Sequence, residues 1–143
     1  MKACFDTSIL VAALLRLHPH HPIAFPRLQA VREKRITGFL TTHALAELFA
    51  TLTALPLKPR LLPAEARNLI RASILPHFTI IPLGVRDYDT ALDMTVASNL
   101  PSGAVYDALH LAGARAAGCG ALLTLNLRHF QRLAPGDPMV VGP

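Results

Sequence analysis

A chain of 143 residues with 52% hydrophobic content has the length of one domain and enough apolar side chains for one sizeable core, so a single domain over residues 1–143 is expected. Only 16% of residues are charged, and the balance of +5 with a pI near 9.9 favours a polyanionic partner, nucleic acid or an acidic protein segment. No apolar run approaches the roughly 20 residues that span a bilayer, Asp6 interrupts any leader after Lys2, and Cys4 and Cys119 lack metal-ligand spacing; the expectation is a cytoplasmic protein with buried, reduced thiols and no membrane association.

Ala3-Cys4-Phe5 reads as a short strand, and Ile9 to Leu15 as the helix that follows it. Asp6 therefore stands at a strand-to-helix turn. There it either points into the crevice beyond the strand's carboxyl end or caps the helix, a role that Ser8 can also take. The prolines of His18-Pro19-His20-His21-Pro22 mark an exposed loop, which fits better than a three-histidine metal site because no cysteine or carboxylate accompanies them. Ile23 to Arg35 forms an amphipathic helix whose face of Arg27, Arg32, Lys34 and Arg35 is either solvated or in contact with phosphates.

Gly38 to Thr41 reads as a second strand, with Thr42 as cap of a helix through His43 to Leu52. Glu47 is unusual in that helix. No Lys or Arg lies three or four residues away, and the surrounding apolar residues predict burial on nearly every side. An unpaired buried carboxylate is expensive unless a cation meets it, and a metal ion is one such partner. Pro63 to Leu75 fits another helix and Phe78 to Ile81 a third strand. Val85 to Ser98 is a helix in which Asp87, Asp89 and Asp93 complement the dipole.

The loop Asn99 to Gly103 feeds an alanine- and leucine-rich helix, Ala104 to Ala117, that Gly118 can close. Asp107 in its first turn repeats the situation of Glu47, although the helix dipole tolerates an acid there. Ala121 to Leu125 is a buried strand broken at Asn126, then comes a turn over Leu127 to Phe130, and Met139 to Val141 forms a last strand. Strands alternate with helices throughout, so the fold class is α/β: three layers, with a central, mostly parallel five-stranded sheet flanked by helices.

In such a sheet Asp6, Glu47 and Asp107 can all approach the crevice, together with Thr124 and Asn126 after the fourth strand. Carboxylates that close repel one another unless a divalent cation neutralises them, and Mg²⁺ suits oxygen ligands completed by water and substrate phosphate. Such an ion activates water toward a phosphodiester, so hydrolysis of nucleic acid follows.

Four motifs, Phe5-Asp6-Thr7-Ser8, Ala46-Glu47-Leu48, Tyr106-Asp107-Ala108-Leu109-His110-Leu111-Ala112 and Leu123-Thr124-Leu125-Asn126-Leu127-Arg128-His129-Phe130, resemble in order and spacing those of PIN-domain ribonucleases of the VapC toxin type. The resemblance covers the whole chain. It implies a five-stranded parallel sheet, an Mg²⁺ or Mn²⁺ site built from Asp6, Glu47 and Asp107, and cleavage of RNA. It also implies homodimers, and inhibition by a small antitoxin whose tail enters the groove. Ser8 and Thr124 match the family's hydroxyl positions and would orient water, or else serve as helix cap and strand-end hydrogen bonder.

Asn126 departs from the pattern, since many members of that family carry a fourth acid there. An amide oxygen brings no charge, which predicts one firmly bound ion in the free protein. Arg128 and His129 read as a solvated turn in preference to an RNA contact. Two rival functions are weaker: a PIN-like module that binds RNA or an antitoxin without cleaving, and a phosphotransferase with Asp6 as nucleophile, for which Ser8 stands where a second Asp is needed.

Overall fold

Strands that are apolar along their whole length need cover on both faces, and the computed structural model, which describes residues Met1–Pro143, provides it. Five parallel strands, β1 (Lys2–Phe5), β2 (Thr37–Thr41), β3 (Thr79–Ile81), β4 (Ala121–Leu123) and β5 (Val140–Val141), form one sheet in the order β3-β2-β1-β4-β5. The helices are α1 (Thr7–Leu14), α2 (His21–Arg32), α3 (Thr42–Ala54), α4 (Pro63–Ser73), α5 (Val85–Ala97), α6 (Ala104–Ala116) and α7 (Leu127–Leu133). The expected three-layer α/β architecture is present, and its sheet is wholly parallel.

The alternation of side chains along β1 divides the core in two. Ala3 and Phe5 face a layer built from α1 to α4, with Ile9, Leu28, Leu48 and Ile70 among its buried members. Cys4 faces the opposite layer, which contains Ala91 of α5, Leu109 and Leu111 of α6, and Phe130 of α7. Both thiols are free and buried, and burial pushes each above its ordinary range.

This topology creates one privileged edge. β1 lies between β2 and β4, so the chain winds away from it in opposite directions and leaves a crevice at the carboxyl ends of β1 and β4. Helices of a parallel sheet run back against the strands, which brings the N-terminal ends of α1, α3 and α6 to this same edge. Asp6 immediately precedes α1, Glu47 lies in the second turn of α3, and Asp107 lies in the first turn of α6.

Several local expectations are corrected. Thr41, not Thr42, caps α3: its Oγ1 accepts the Ala44 N–H at 3.1 Å, while the Thr42 hydroxyl accepts the Leu83 N–H at 3.2 Å. Pro22 belongs to the first turn of α2 and not to the loop, because a proline there forfeits only an N–H that would lack a partner anyway. α2 ends at Arg32, where its C-terminal carbonyls are taken up by the turn through Lys34. The turn expected at Leu127–Phe130 is the start of α7, held down by buried Phe130 and Leu133. β4 ends at Leu123, since the next backbone N–H but one, that of Leu125, goes to Ser8 Oγ at 3.0 Å. Only Asp87 of the three aspartates sits in the first turn of α5, accepting the Gly84 N–H at 2.8 Å. Gly118 closes α6 as expected, at a positive φ of 71° that suits glycine.

Candidate active site

Asp6 is 3% exposed at the end of β1, where it caps α1 and has both carboxylate oxygens engaged. Oδ1 accepts the Thr7 N–H at 2.7 Å; Oδ2 accepts the hydroxyls of Ser8 and Thr124, each at 2.8 Å. The capping role offered to Ser8 is thus corrected, and Ser8 instead ties α1 to the segment after β4 through the Leu125 N–H. Thr124 is fully buried and also accepts the Asn126 N–H at 2.8 Å. Hydroxyls from two separate segments therefore fix the Asp6 carboxylate.

Glu47 is less enclosed than its helix suggested. Its side chain is 29% exposed, and Ala46, Phe49 and Ala50 face outward, so α3 is buried along one stripe only. The group that meets it is His110 of α6, whose Nε2 lies 2.8 Å from Glu47 Oε1 and 3.9 Å from Asp6 Oδ1. The sequence placed His110 on the apolar helix but assigned it no role; a histidine among alanines and leucines, three residues after a candidate acid, was the available signal. His43 Nε2 lies 3.1 Å from the same Glu47 oxygen, yet it makes no hydrogen bond because its N–H direction misses. Its ring stacks on Tyr106, with centroids 5.0 Å apart and planes at 21°. Burial works to lower the pKa of His110, but the Glu47 hydrogen bond and the charges of Asp6, Glu47 and Asp107 outweigh it, and the imidazole titrates above its ordinary value.

Asp107 completes the set. Its carboxyl is pushed up to about 6, first by desolvation and then by the negative charge of Asp6, with Glu47 adding to it and His110 and His129 opposing. His129 Nδ1 stands 3.7 Å from Asp107 Oδ2, so His129 is solvated, as expected, and also borders the site.

Glu47 separates two cavities of the cleft. One, of about 400 Å³, is lined by Asp107, Tyr106, His129 and Arg132 together with the Leu100–Pro101 loop. The other, of about 410 Å³, is lined by Ser8, Thr51, Asn126 and the histidines His18 and His20. Asn126 is exposed and lies on this second side, away from Asp107. His18 to His20 is turn, as the prolines suggested, whereas His21 opens α2; the place of His18 and His20 on the cleft wall was not legible from the prolines. Arg128 does not line either cavity, whereas Arg132, one turn further on, does.

No lysine or arginine pairs with Asp6, Glu47 or Asp107; only imidazoles approach them. The carboxyl of Asp107 is raised first by desolvation and then by the charge of Asp6, so a cation in the crevice would favour its ionised form. The donor set of carboxylate, hydroxyl and amide oxygens fits a hard divalent ion such as Mg²⁺ or Mn²⁺. No three carboxylate, imidazole or thiol side chains form a ready-made cage, so water and substrate oxygens would have to complete the coordination.

Residues 3–135 match the family model of the PIN domain. The chain belongs to the PIN-domain family. Among relatives of this PIN domain, ribonuclease VapC27 of Mycobacterium tuberculosis is 34% identical over 73% of this chain and 70% of its own length. Ribonuclease VapC40 of the same organism is 32% identical over 86% of this chain and 85% of its own. In fold, the PIN domain is similar to VapBC2 from Rickettsia felis, solved bound to a DNA fragment from its promoter, at a TM-score of 0.67 and 20% identity, covering 100% of this chain and 98% of that one. No helix is long and apolar enough to cross a membrane.

Proposed function

We propose that this PIN domain is a metal-dependent endoribonuclease and the toxin of a toxin–antitoxin pair, with Asp6, Glu47 and Asp107 holding an Mg²⁺ or Mn²⁺ ion. The observation that carries the reading is the meeting of these three carboxylates at the crevice of β1 and β4, beside a cavity whose wall carries Arg132 and His129. The names of the relatives as VapC ribonucleases support the activity. When bound, a divalent cation neutralises the carboxylates, stabilises charge on a phosphodiester and makes water a stronger nucleophile at neutral pH.

The chain's own side chains do the remaining work. Ser8 and Thr124 hold Asp6 in one orientation. Arg132 offers positive charge and His129 a hydrogen-bonding ring to the RNA backbone, and the half-exposed Tyr106 offers a ring face to an unpaired base. Asn126 contributes an amide to the opposite wall, able to bond to water or to substrate. We further infer a small antitoxin partner, consistent with the VapBC complex to which the fold is similar, a homodimeric state, and action in the cytosol, where the unpaired Cys4 and Cys119 would stay reduced.

The test is cleavage of RNA by purified protein with Mg²⁺ or Mn²⁺, compared with Asp6→Asn and with excess chelator. Loss of cleavage in both is expected. Unchanged cleavage in either overturns the mechanism, and RNA binding with no turnover over long incubation would assign the chain to a non-cleaving module.

A further inference from the structure

The imidazole of His110, in the middle of α6, bonds both to the end of β2 and to the second turn of α3. We propose that His110 is a positioning residue for Glu47, holding one carboxylate oxygen so that the other is presented to the cation; the inference rests on the metal-dependent nuclease reading.

His110 has no exposed surface, and a ring nitrogen without a partner in an apolar layer would be costly. Both nitrogens are used. Nδ1 lies 2.9 Å from Thr41 Oγ1, and Nε2 lies 2.8 Å from Glu47 Oε1. The oxygens facing Nε2, Glu47 Oε1 and the more distant Asp6 Oδ1 at 3.9 Å, both belong to carboxylates and can only accept. Nε2 therefore carries a proton in either protonation state of the ring. Thr41 is itself immobile, since it ends β2, caps α3 through the Ala44 N–H at 3.1 Å, and has no exposed surface. The line Thr41–His110–Glu47 thus anchors a flexible glutamate to the sheet.

Glu47 needs such an anchor. It stands on the partition between two open cavities, and its backbone alone leaves the side chain free to swing into either. With Oε1 held by His110, Oε2 accepts no hydrogen bond from the protein and is the oxygen left to a ligand. Groups that orient a metal-binding carboxylate in this way are commonly worth 10- to 100-fold in affinity or activity.

The experiment compares two polar replacements, His110→Gln and His110→Asn. The glutamine amide reaches the place of Nε2 and can still donate to Glu47, whereas the asparagine amide stops near the place of Nδ1. Mn²⁺ affinity is measured by calorimetry on the metal-free proteins, with kcat and KM for RNA cleavage alongside. We expect H110N to bind Mn²⁺ about 10- to 100-fold more weakly and to lose kcat at unchanged KM, and H110Q to recover most of that loss. In the wild-type protein without metal, ¹⁵N shifts of the His110 ring should report a protonated Nε2. Equal Mn²⁺ affinity in wild type and H110N, or a bare Nε2, overturns the inference while the nuclease reading stands. Wild-type protein that neither binds Mn²⁺ nor cleaves RNA overturns that reading and this inference with it.

Discussion

Thr124, buried just past the end of β4, donates its hydroxyl proton to Asp6 Oδ2 at 2.8 Å, across 118 positions of sequence. Thr124 Oγ1 also accepts the Asn126 N–H at 2.8 Å, so one hydroxyl sets both the acid at the end of β1 and the turn into α7. Thr124→Val keeps the shape but strands the Asn126 N–H and leaves Asp6 Oδ2 with the Ser8 hydroxyl alone. Urea denaturation should register a loss of about 1–3 kcal/mol, and Thr124→Ser should recover most of it.

Asp107 should make stability depend on pH in the metal-free protein. Its folded-state pKa of about 6 lies above the unfolded value of 3.8, so the fold prefers the protonated carboxyl, and this contribution is present in acid and lost as pH rises toward and through 6. Asp107→Asn is accordingly expected to match wild type near pH 3.5 and to be more stable at pH 8. The gain should be roughly 1–2 kcal/mol, after allowance for solvent screening of a partly exposed group. Thermal unfolding across that range checks it; a variant less stable than wild type at pH 8 would contradict it.

Gly113 of α6 lets that helix lie close over β2. A Cβ there would stand 2.8 Å from Thr41 Cγ2 and 3.1 Å from Leu83 Cδ2. Alanine is the better helix former by up to about 1 kcal/mol, but the methyl of a buried threonine has no room to retreat. Gly113→Ala should therefore destabilise the protein by roughly 1–2 kcal/mol net, and by spreading α6 from β2 it should also weaken the Thr41–His110 contact, visible in the ring ¹⁵N shifts of His110.

Asn126 faces the cavity on the Ser8 side of Glu47 and brings no charge to it. Calorimetric titration with Mn²⁺ in the absence of RNA should give one tight site in wild type, and Asn126→Asp should add a second, weaker step. Two tight ions in the wild-type protein would show that an amide suffices at that place.

The sequence by itself determined the order of elements and the parallel three-layer fold, and it singled out the three carboxylates as candidates. Each of these follows from local pattern: apolar runs of strand length, helices between them, and acids in settings where no neighbouring Lys or Arg meets them. It did not determine their partners. Glu47 has no Lys or Arg neighbour on its helix, His43 lies close without a hydrogen bond to it, and the group that meets it, His110, lies 63 positions away on a helix from the opposite layer. Asp6 could be read as a cap or as a crevice residue; only the tertiary structure showed Oδ1 capping α1 while lying 3.9 Å from His110 Nε2, and Oδ2 held by Ser8 and Thr124. Contacts of this kind depend on how layers meet over the end of the sheet. Strand order and helix packing decide that, and no local spacing encodes it.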